Sequence, residues 1–267
     1  MPKGGVQEAQ IQWYPGHMAQ AMRKLAERLK IVDVLVEVLD ARVPRASSNP
    51  ALDRLAARKP RLVILGREDL ADPHATREWL AWHGAHGRTA IAVNGKDQGS
   101  VKRIAAELAA FVAEHGTTRA MVVGIPNTGK SSIINGLLRR TAAKAEDKAG
   151  VTRSLQWFRV APKLEVMDTP GILVPKIATP EAQWQLALTG ALPRERFDAE
   201  EVVERFAAWS HEHRPQSGVP DLETFAGARF ARRGGEVDLH NAAGAYLKDF
   251  NDGKFGRITF ERPEPAA

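Results

Sequence analysis

The chain has 267 residues, of which 43% are hydrophobic and 26% charged, and this composition excludes wholesale disorder. It has no cysteine, which excludes disulfide frameworks, cysteine zinc sites, iron–sulfur clusters and thiol catalysis. The formal net charge of +6 is uneven: residues 1–177 carry 27 basic and 17 acidic residues, whereas residues 178–267 carry 11 and 15. Such a basic body favours a polyanionic partner, with nucleic acid ahead of a membrane.

The longest apolar stretch, residues 31–39, is interrupted by Asp33 and Glu37. Nothing therefore approaches the roughly 20 apolar residues that a membrane helix needs. No apolar region follows Lys3, which argues against a secretory signal. We expect a soluble, cytoplasmic, monomeric protein without a membrane partner.

The first predicted element is an amphipathic basic helix that begins near Pro15-Gly16. Apolar residues recur there at helical spacing, and basic residues occupy the other faces. The apolar positions are Met18, Met22, Leu25 and Leu29, and the basic ones are Arg23, Lys24, Arg28 and Lys30.

Short aliphatic runs then alternate with helical patterns, which is typical of an α/β domain with a mostly parallel sheet and helices on both faces. The predicted strands are Val32–Leu39, Arg61–Leu65, Thr89–Val93, Ala120–Val123 and Leu164–Met167. Predicted helices between them span about 50–58, 73–83, 99–115 and 130–140. One further run, Ser154–Val160, is predicted to form an antiparallel edge strand.

Beyond Pro175 and Pro180 the strand patterns stop, and helical segments follow at about 181–190, 198–213, 221–229 and 238–251. We therefore predict two domains. Residues 1–177 form the α/β domain with its N-terminal basic helix, and residues 178–267 form a small all-α domain.

The sharpest motif is Gly124-Ile-Pro-Asn-Thr-Gly129-Lys130-Ser131, an unbroken Walker A pattern between a predicted strand and a predicted helix. Backbone N–H groups of such a loop and the helix N-terminus surround phosphates, and Lys130 places a point charge at the β/γ oxygens. Ser131 would ligate Mg²⁺. The motif predicts a nucleoside triphosphate site.

A second motif, Asp168-Thr-Pro-Gly171, ends the strand that follows. Its position suits a Walker B carboxylate that holds Mg²⁺ through water, with the Gly171 N–H near the γ-phosphate. Between the two motifs lies Gly150-Val-Thr152, whose threonine is a candidate second Mg²⁺ ligand on a switch loop.

Guanine nucleotide binders normally carry an Asn-Lys-x-Asp motif after these elements, yet none occurs between residues 172 and 267. Upstream, however, strand Arg61–Leu65 ends in Gly66-Arg67-Glu68-Asp69, with Asp69 where the base-reading carboxylate would stand. The motifs therefore run in permuted order. Permutation leaves the site intact, because ligands bind at the carboxyl ends of parallel strands whatever their chain order.

At this point the chain resembles the circularly permuted GTPases of the ribosome biogenesis GTPase A (YlqF) family. Besides the motifs above, the resemblance rests on Trp13-Tyr-Pro-Gly-His17-Met18, Asp40-Ala-Arg42-Val-Pro44 and a C-terminal Lys254-Phe-Gly-Arg257. It covers essentially the whole chain. It implies a circularly permuted P-loop GTPase domain, GTP/GDP and Mg²⁺ as ligands, and binding to the large ribosomal subunit and its rRNA, with a helical RNA-contacting C-terminal domain.

The resemblance also implies roles for single residues. His17 is expected to be catalytic, since Ile172 stands where a water-orienting Gln would follow the Gly171 motif. Asn127 is expected to admit K⁺ near the phosphates. The expected nucleotide contacts are Asn127, Thr128, Gly129, Lys130, Ser131, Ser132, Gly171, Asp69, Arg67 and Asn94, and the expected Mg²⁺ ligands are Ser131, Thr152 and Asp168.

Two departures from the family pattern bear on the base. Gly66-Arg67 stands where Asn-Lys is usual, and Asn94-Gly95 stands where a Ser-led loop would cover the purine. We expect weak discrimination of GTP from ATP or XTP, restored by Gly66→Asn with Arg67→Lys.

These departures leave two functions open. The first is a GTP-hydrolysing, ribosome-stimulated assembly switch, and the alternative is a nucleotide-gated RNA-binding scaffold with relaxed base selectivity and little turnover. A small-molecule phosphotransferase is disfavoured because no acceptor pocket is recognisable. His83-x-x-His86 and His211-x-His213 are interpreted as solvated surface histidines and not as a metal site, because no Cys and no carboxylate pattern accompanies them.

Overall fold

The structure is a computed structural model, and it describes residues 23, 25–142, 156–169, 177, 179–230 and 237–264. In this part of the chain one sheet has the strand order β3-β2-β1-β4-β6-β5. All neighbouring strands are parallel except β5 and β6, which are antiparallel. The strands are β1 Val34–Asp40, β2 Arg61–Gly66, β3 Thr89–Val93, β4 Thr118–Val123, β5 Gln156–Ala161 and β6 Leu164–Asp168. The predicted parallel sheet and its antiparallel edge strand are confirmed.

Both faces of the sheet are buried. All seven residues of β1 are buried, and successive side chains enter different apolar clusters. Val36 packs in the cluster that contains Ile104 and Leu137. Its neighbour Leu35 packs on the opposite face with Leu25. Because side chains alternate along a strand, this pattern requires helices on both faces, as the continuous apolar runs predicted.

The helices of the α/β part are α1 Pro50–Leu55, α2 Pro73–Ala85, α3 Gln98–His115 and α4 Lys130–Ala142. The first three begin at side-chain caps, in which Asn49, Asp72 and Asp97 accept hydrogen bonds from backbone N–H groups of the first turn. The described end of the N-terminal basic helix is amphipathic as expected, because Leu25 and Leu29 are buried whereas Arg28 is exposed.

The C-terminal part is helical, with α5 Pro180–Leu188, α6 Ala199–His213, α7 Leu222–Arg229 and α8 Leu239–Asn251. Its core is aromatic: Phe206 packs edge-on against Tyr246 and Phe250. Val43 and Ile125 of the α/β part belong to the same apolar cluster, so the two parts share one core. The division into two domains at residues 177 and 178 stays a prediction.

The strand register places the functional loops together. Asp40 of β1 pairs with Gly66 of β2, and Gly66 pairs with Val93 of β3. On the other side, Val122 of β4 pairs with Asp168 of β6. The carboxyl ends of five parallel strands thus meet at one edge of the sheet, which is where ligands bind in such folds.

Within the described ranges, no helix has both the length and the apolar character needed to cross a bilayer.

Candidate nucleotide-binding site

The loop from Gly124 to Gly129 joins β4 to α4 and has the backbone of a phosphate-binding turn. A Cβ at Gly124 would lie 2.3 Å from the carbonyl oxygen of Val38, so only glycine fits there. Asn127 and Gly129 have φ values of 60° and 98°, in the left-handed region. Turns of this kind direct successive N–H groups toward one concavity, and the α4 N-terminus adds its dipole. The local conformation is therefore suited to an anion.

Lys130, the first residue of α4, folds back over this loop. Its side chain is buried, with 7% of the residue exposed, and Nζ donates a hydrogen bond of 2.6 Å to the carbonyl oxygen of Ile125. The Thr128 hydroxyl donates to the same oxygen at 3.1 Å. Burial lowers the pKa of Lys130 to about 8, although the nearby Asp168 carboxylate opposes the shift. A cation held in this way faces the expected position of the phosphates.

Asp168 ends β6 beside this lysine. Its Oδ1 is buried and has no hydrogen-bond partner in the described structure, and burial raises the pKa of the carboxyl group against the effects of Lys130 and the Thr169 N–H. A buried carboxylate oxygen without a partner is costly unless a ligand satisfies it. Mg²⁺ takes oxygen ligands, and Ser131, which follows Lys130 in α4, has a hydroxyl that can serve as one. These residues fit the predicted Mg²⁺.

Arg67 connects the loop after β2 to the phosphate-binding turn Gly124–Gly129, called the phosphate loop below. Its backbone is left-handed, with φ 57°, and its Nε donates a 3.0 Å hydrogen bond to the carbonyl oxygen of Asn127. The same Nε lies 3.9 Å from Oδ2 of Asp40, while burial and the neighbouring Arg42 lower the pKa of Arg67. Arg67 thus supports the phosphate loop, and it does so next to Asp69 of the short 3-10 helix Glu68–Leu70.

Gly66 approaches the phosphate loop more closely than a side chain permits. A Cβ at Gly66 would lie 2.6 Å from the carbonyl oxygen of Thr128. The expectation that Gly66→Asn restores base selectivity stays a prediction, and this close approach argues against it, because the new side chain would displace the phosphate loop. The adjoining loop is held by other contacts: Glu68 accepts hydrogen bonds of 3.1 Å from Ser100 and from Arg103.

The loop after β3 packs on the beginning of α4. The Asn94 side chain accepts a 2.9 Å hydrogen bond from the Lys96 N–H, which closes a tight turn. At Gly95, a Cβ would lie 3.1 Å from Cβ of Ser132. Asn94 and Ser132 therefore lie at the same end of the site as Arg67 and Asp69.

Asn127 and Arg42 connect the site to the helical part, a role that the motif patterns did not reveal. Asn127 Nδ2 donates a 2.5 Å hydrogen bond to the carbonyl oxygen of Gly190, just beyond α5. Arg42 is 1% exposed and makes a two-pronged ion pair with Asp40, at 2.9 and 2.7 Å. It also donates to Asn251 Oδ1 at 3.0 Å. The only sequence signal for the Arg42 contacts was the Asp40-Ala-Arg42-Val-Pro44 motif, and the spacing of its residues does not indicate what Arg42 contacts.

The interpretation of His83 as a solvated surface histidine is wrong. His83 is 3% exposed and packs against Trp79 and Trp82, and neither of its ring nitrogens has a hydrogen-bond partner among the described residues. Burial lowers its pKa to about 4, so the ring is neutral at physiological pH. Among the described residues no cluster of His, Asp and Glu is arranged to hold a metal ion.

The structure brings together most of the predicted site at the carboxyl edge of the sheet. These residues are Arg67, Asp69, Asn94, Asn127, Thr128, Gly129, Lys130, Ser131, Ser132 and Asp168. Three further predicted residues, His17, Thr152 and Gly171, lie outside the described residues, and their roles stay predictions.

Comparison with known proteins gives matches over nearly the whole chain. A family model described as "50S ribosome-binding GTPase" matches residues 119–205. Ribosome biogenesis GTPase A of Bacillus cereus is 36% identical over 279 residues, covering 95% of this chain and 94% of that protein. The Thermotoga maritima protein of the same name is 33% identical, with 95% of each covered.

Among solved structures, GNP-bound YlqF from T. maritima has a TM-score of 0.72 and 31% identity, over 92% of this chain and 99% of that chain. The GDP-bound form has a TM-score of 0.70 at the same identity, over 90% and 99%. The permuted order of the motifs and the predicted fold are confirmed by these matches. This chain belongs to the ribosome biogenesis GTPase A family of circularly permuted GTPases.

Proposed function

We propose that this chain binds GTP with Mg²⁺, hydrolyses it, and acts as a monomeric cytoplasmic assembly factor for the large ribosomal subunit. The observation that carries the proposal is that buried Lys130 lies near Asp168, whose Oδ1 has no partner among the described residues, at a phosphate-binding turn. A buried lysine near a buried carboxylate oxygen that has no partner in the described part of the chain matches a triphosphate and its divalent cation.

Different residues of the chain then bind the phosphates, the Mg²⁺ ion and the base. Lys130 exchanges the Ile125 carbonyl for phosphate oxygens, while N–H groups from Gly124 to Gly129 surround the phosphates. Ser131 and Asp168 would hold Mg²⁺, with Thr152 as a further ligand. When bound, Mg²⁺ neutralises charge on the β- and γ-phosphates. Asp69 accepts hydrogen bonds from the guanine edge.

Two further roles follow from the family resemblance. His17 orients the attacking water, because Ile172 has no polar group for that task. Asn127 offers its amide oxygen to K⁺, since its Nδ2 already donates to the Gly190 carbonyl. A monovalent cation at that position would add positive charge beside the phosphates.

The ribosomal partner is supported by the names of the relatives and by the charge of the chain. The matched family model is described as ribosome-binding, and the relatives are named for ribosome biogenesis. Exposed cations in the described part of the α/β region fit a phosphate backbone, and they include Arg23, Arg28, Arg139 and Arg159. In the helical region, Arg229 is half exposed while paired with Asp249 at 2.5 Å. We predict that the same contact includes further basic residues that lie outside the described part of the chain, namely Lys24, Lys144, Lys148, Arg153, Arg232 and Arg233.

The test is phosphate release from GTP with and without large ribosomal subunits, for wild type, Lys130→Ala and Lys163→Ala. Lys163 is an exposed lysine of the turn between β5 and β6 and serves as the matched control. We expect Lys130→Ala to lose about ten- to hundredfold in nucleotide affinity, since a charge-assisted contact contributes about 1.5–3 kcal/mol. Subunit binding without stimulated phosphate release would support the scaffold alternative instead.

A further inference from the structure

Residues 257–260, called the C-terminal segment below, return to the α/β part and lie on the loop that carries Asp69. Arg257 donates a 2.8 Å hydrogen bond from its guanidinium group to the Glu68 carbonyl oxygen. The Ile258 N–H donates to the Leu70 carbonyl oxygen at 2.9 Å. Both neighbours of Asp69 are therefore held by residues that stand almost 190 positions further along the chain.

This segment is itself firmly anchored. The Thr259 hydroxyl donates to the Ala41 carbonyl at 3.0 Å and accepts from the Asp72 N–H at 3.1 Å. The Phe260 N–H donates to the Arg42 carbonyl at 2.9 Å. Ile258 and Thr259 are buried, so the segment forms part of the packed structure. Arg257 thus projects from a fixed backbone.

The opposite side of the same loop is held by α3. Glu68 accepts from Ser100 and Arg103, and Arg103 also donates a 2.6 Å hydrogen bond to the Ala92 carbonyl in β3. The carboxylate of Asp69 makes no hydrogen bond to another described residue. Asp69 is therefore held through its neighbours while its own acceptor oxygens stay available to a ligand.

We propose that Arg257 is a positioning residue for base recognition, and that it replaces the support that an asparagine at position 66 would give. Gly66 has no side chain, and the 2.6 Å approach of a Cβ to the Thr128 carbonyl leaves no room for one. The C-terminal segment supports the loop from outside instead. This inference rests on the proposed binding of guanine nucleotides, and it assigns a function to the Lys254-Phe-Gly-Arg257 motif.

The test compares affinities for GDP and IDP, because inosine lacks the 2-amino group that donates to the base-reading carboxylate. The variants are Arg257→Ala and Arg257→Lys. Arg262→Ala is the matched control, since Arg262 lies in the same segment but pairs with Glu78 and Asp72. Arg257 is exposed, so its replacement leaves the core intact.

We expect Arg257→Ala to reduce the preference for GDP over IDP about three- to tenfold, the range for one hydrogen bond, by weakening GDP binding while IDP binding changes little. Arg257→Lys should recover part of the preference, because an ammonium group can still donate to the Glu68 carbonyl. Arg262→Ala should keep the wild-type ratio.

Two results would overturn the inference while leaving nucleotide binding intact. One is an unchanged preference in Arg257→Ala, and the other is an equal loss of GDP and IDP affinity, which would indicate general destabilisation. Equal binding of GDP and IDP by the wild type would also overturn it, because Asp69 would then not read the 2-amino group. A wild type that binds neither nucleotide contradicts the proposed function itself.

Discussion

Replacing Gly66 with alanine tests whether the end of β2 must lack a side chain for the phosphate loop to form. Gly66 is not among the residues with positive φ, so alanine is compatible with its backbone conformation. The added Cβ would instead meet the Thr128 carbonyl oxygen at 2.6 Å and the Leu39 carbonyl oxygen at 3.4 Å. Neither atom is the end of a flexible side chain, so the backbone itself must move.

The size of the effect follows from the cost of overpacking. Forcing one additional methyl group into a packed site costs about 1–3 kcal/mol. The carbonyl of Thr128 belongs to the phosphate loop, whose neighbouring Asn127 carbonyl accepts from Arg67. The phosphate loop must therefore move to relieve the contact between the new Cβ and the Thr128 carbonyl oxygen. We expect a loss of about 1–3 kcal/mol in the free energy of unfolding, or an equivalent loss of about five- to 150-fold in GDP affinity.

Denaturant unfolding and titration with a fluorescent GDP analogue measure the two quantities. Gly84→Ala in α2 is the control, because a Cβ there meets no atom within 4 Å. It should leave binding unchanged and stabilise the helix by up to about 1 kcal/mol. Gly66→Asn with Arg67→Lys should bind worse than wild type. The reasoning is refuted if Gly66→Ala matches wild type in both measurements, or if the double variant gains guanine preference.

Three further outcomes are expected. Nucleotide affinity should fall by up to about tenfold per pH unit above pH 8, because Lys130 has its pKa lowered to about 8 and must take up a proton to bind phosphate; titrations at several pH values should show no such slope in Lys130→Ala. Arg42→Ala should lower the free energy of unfolding by about 3 kcal/mol or more in denaturant titrations, since Asp40 would stay buried without its charged partner. His17→Ala should lower subunit-stimulated phosphate release while nucleotide affinity stays the same, as expected for a group that acts in the transition state; equal stimulated rates in the two proteins would remove His17 from the mechanism.

The pH dependence of stability has the opposite sign to that of binding. In the unfolded chain the pKa of Lys130 is the ordinary 10.5, whereas in the folded chain it is about 8. Between these values the unfolded state binds more protons, so the free energy of unfolding rises with pH. Burial of the charged lysine therefore costs stability below pH 8, where the ammonium group is needed for phosphate.

Much of the fold and site was predictable because the signals are local. Strand–loop–helix patterns depend on residues within one element, and the Walker A motif specifies its own backbone through Gly124 and Gly129. The permuted order of the motifs could also be read directly, since the carboxyl ends of parallel strands meet wherever the chain begins. These features need no information about distant packing.

The features that were not predictable depend on contacts between distant parts of the chain. The burial of His83 depends on which face of α2 meets the sheet, and a two-histidine spacing cannot give that face. The lack of room at Gly66 is set by a carbonyl 62 positions away. Likewise, Arg257 reaches Glu68 across 189 positions. No periodicity or motif spacing encodes such distances.

Arg67 and Asn127 show why the site and the helical part form a single physical unit. The main-chain oxygen of Asn127 accepts from Arg67 on the base side, and its side-chain amide donates to Gly190 on the helical side. Its left-handed backbone orients both groups at once. Any ligand that moves the phosphate loop at Asn127 must stretch or carry along these two hydrogen bonds. Arg42, which pairs with Asp40, donates to the Thr189 carbonyl at 3.1 Å, and Asp40 lies 3.9 Å from Arg67. The polar contacts between the end of α5 and the phosphate loop therefore converge on Asn127, directly from Gly190 and through Arg67.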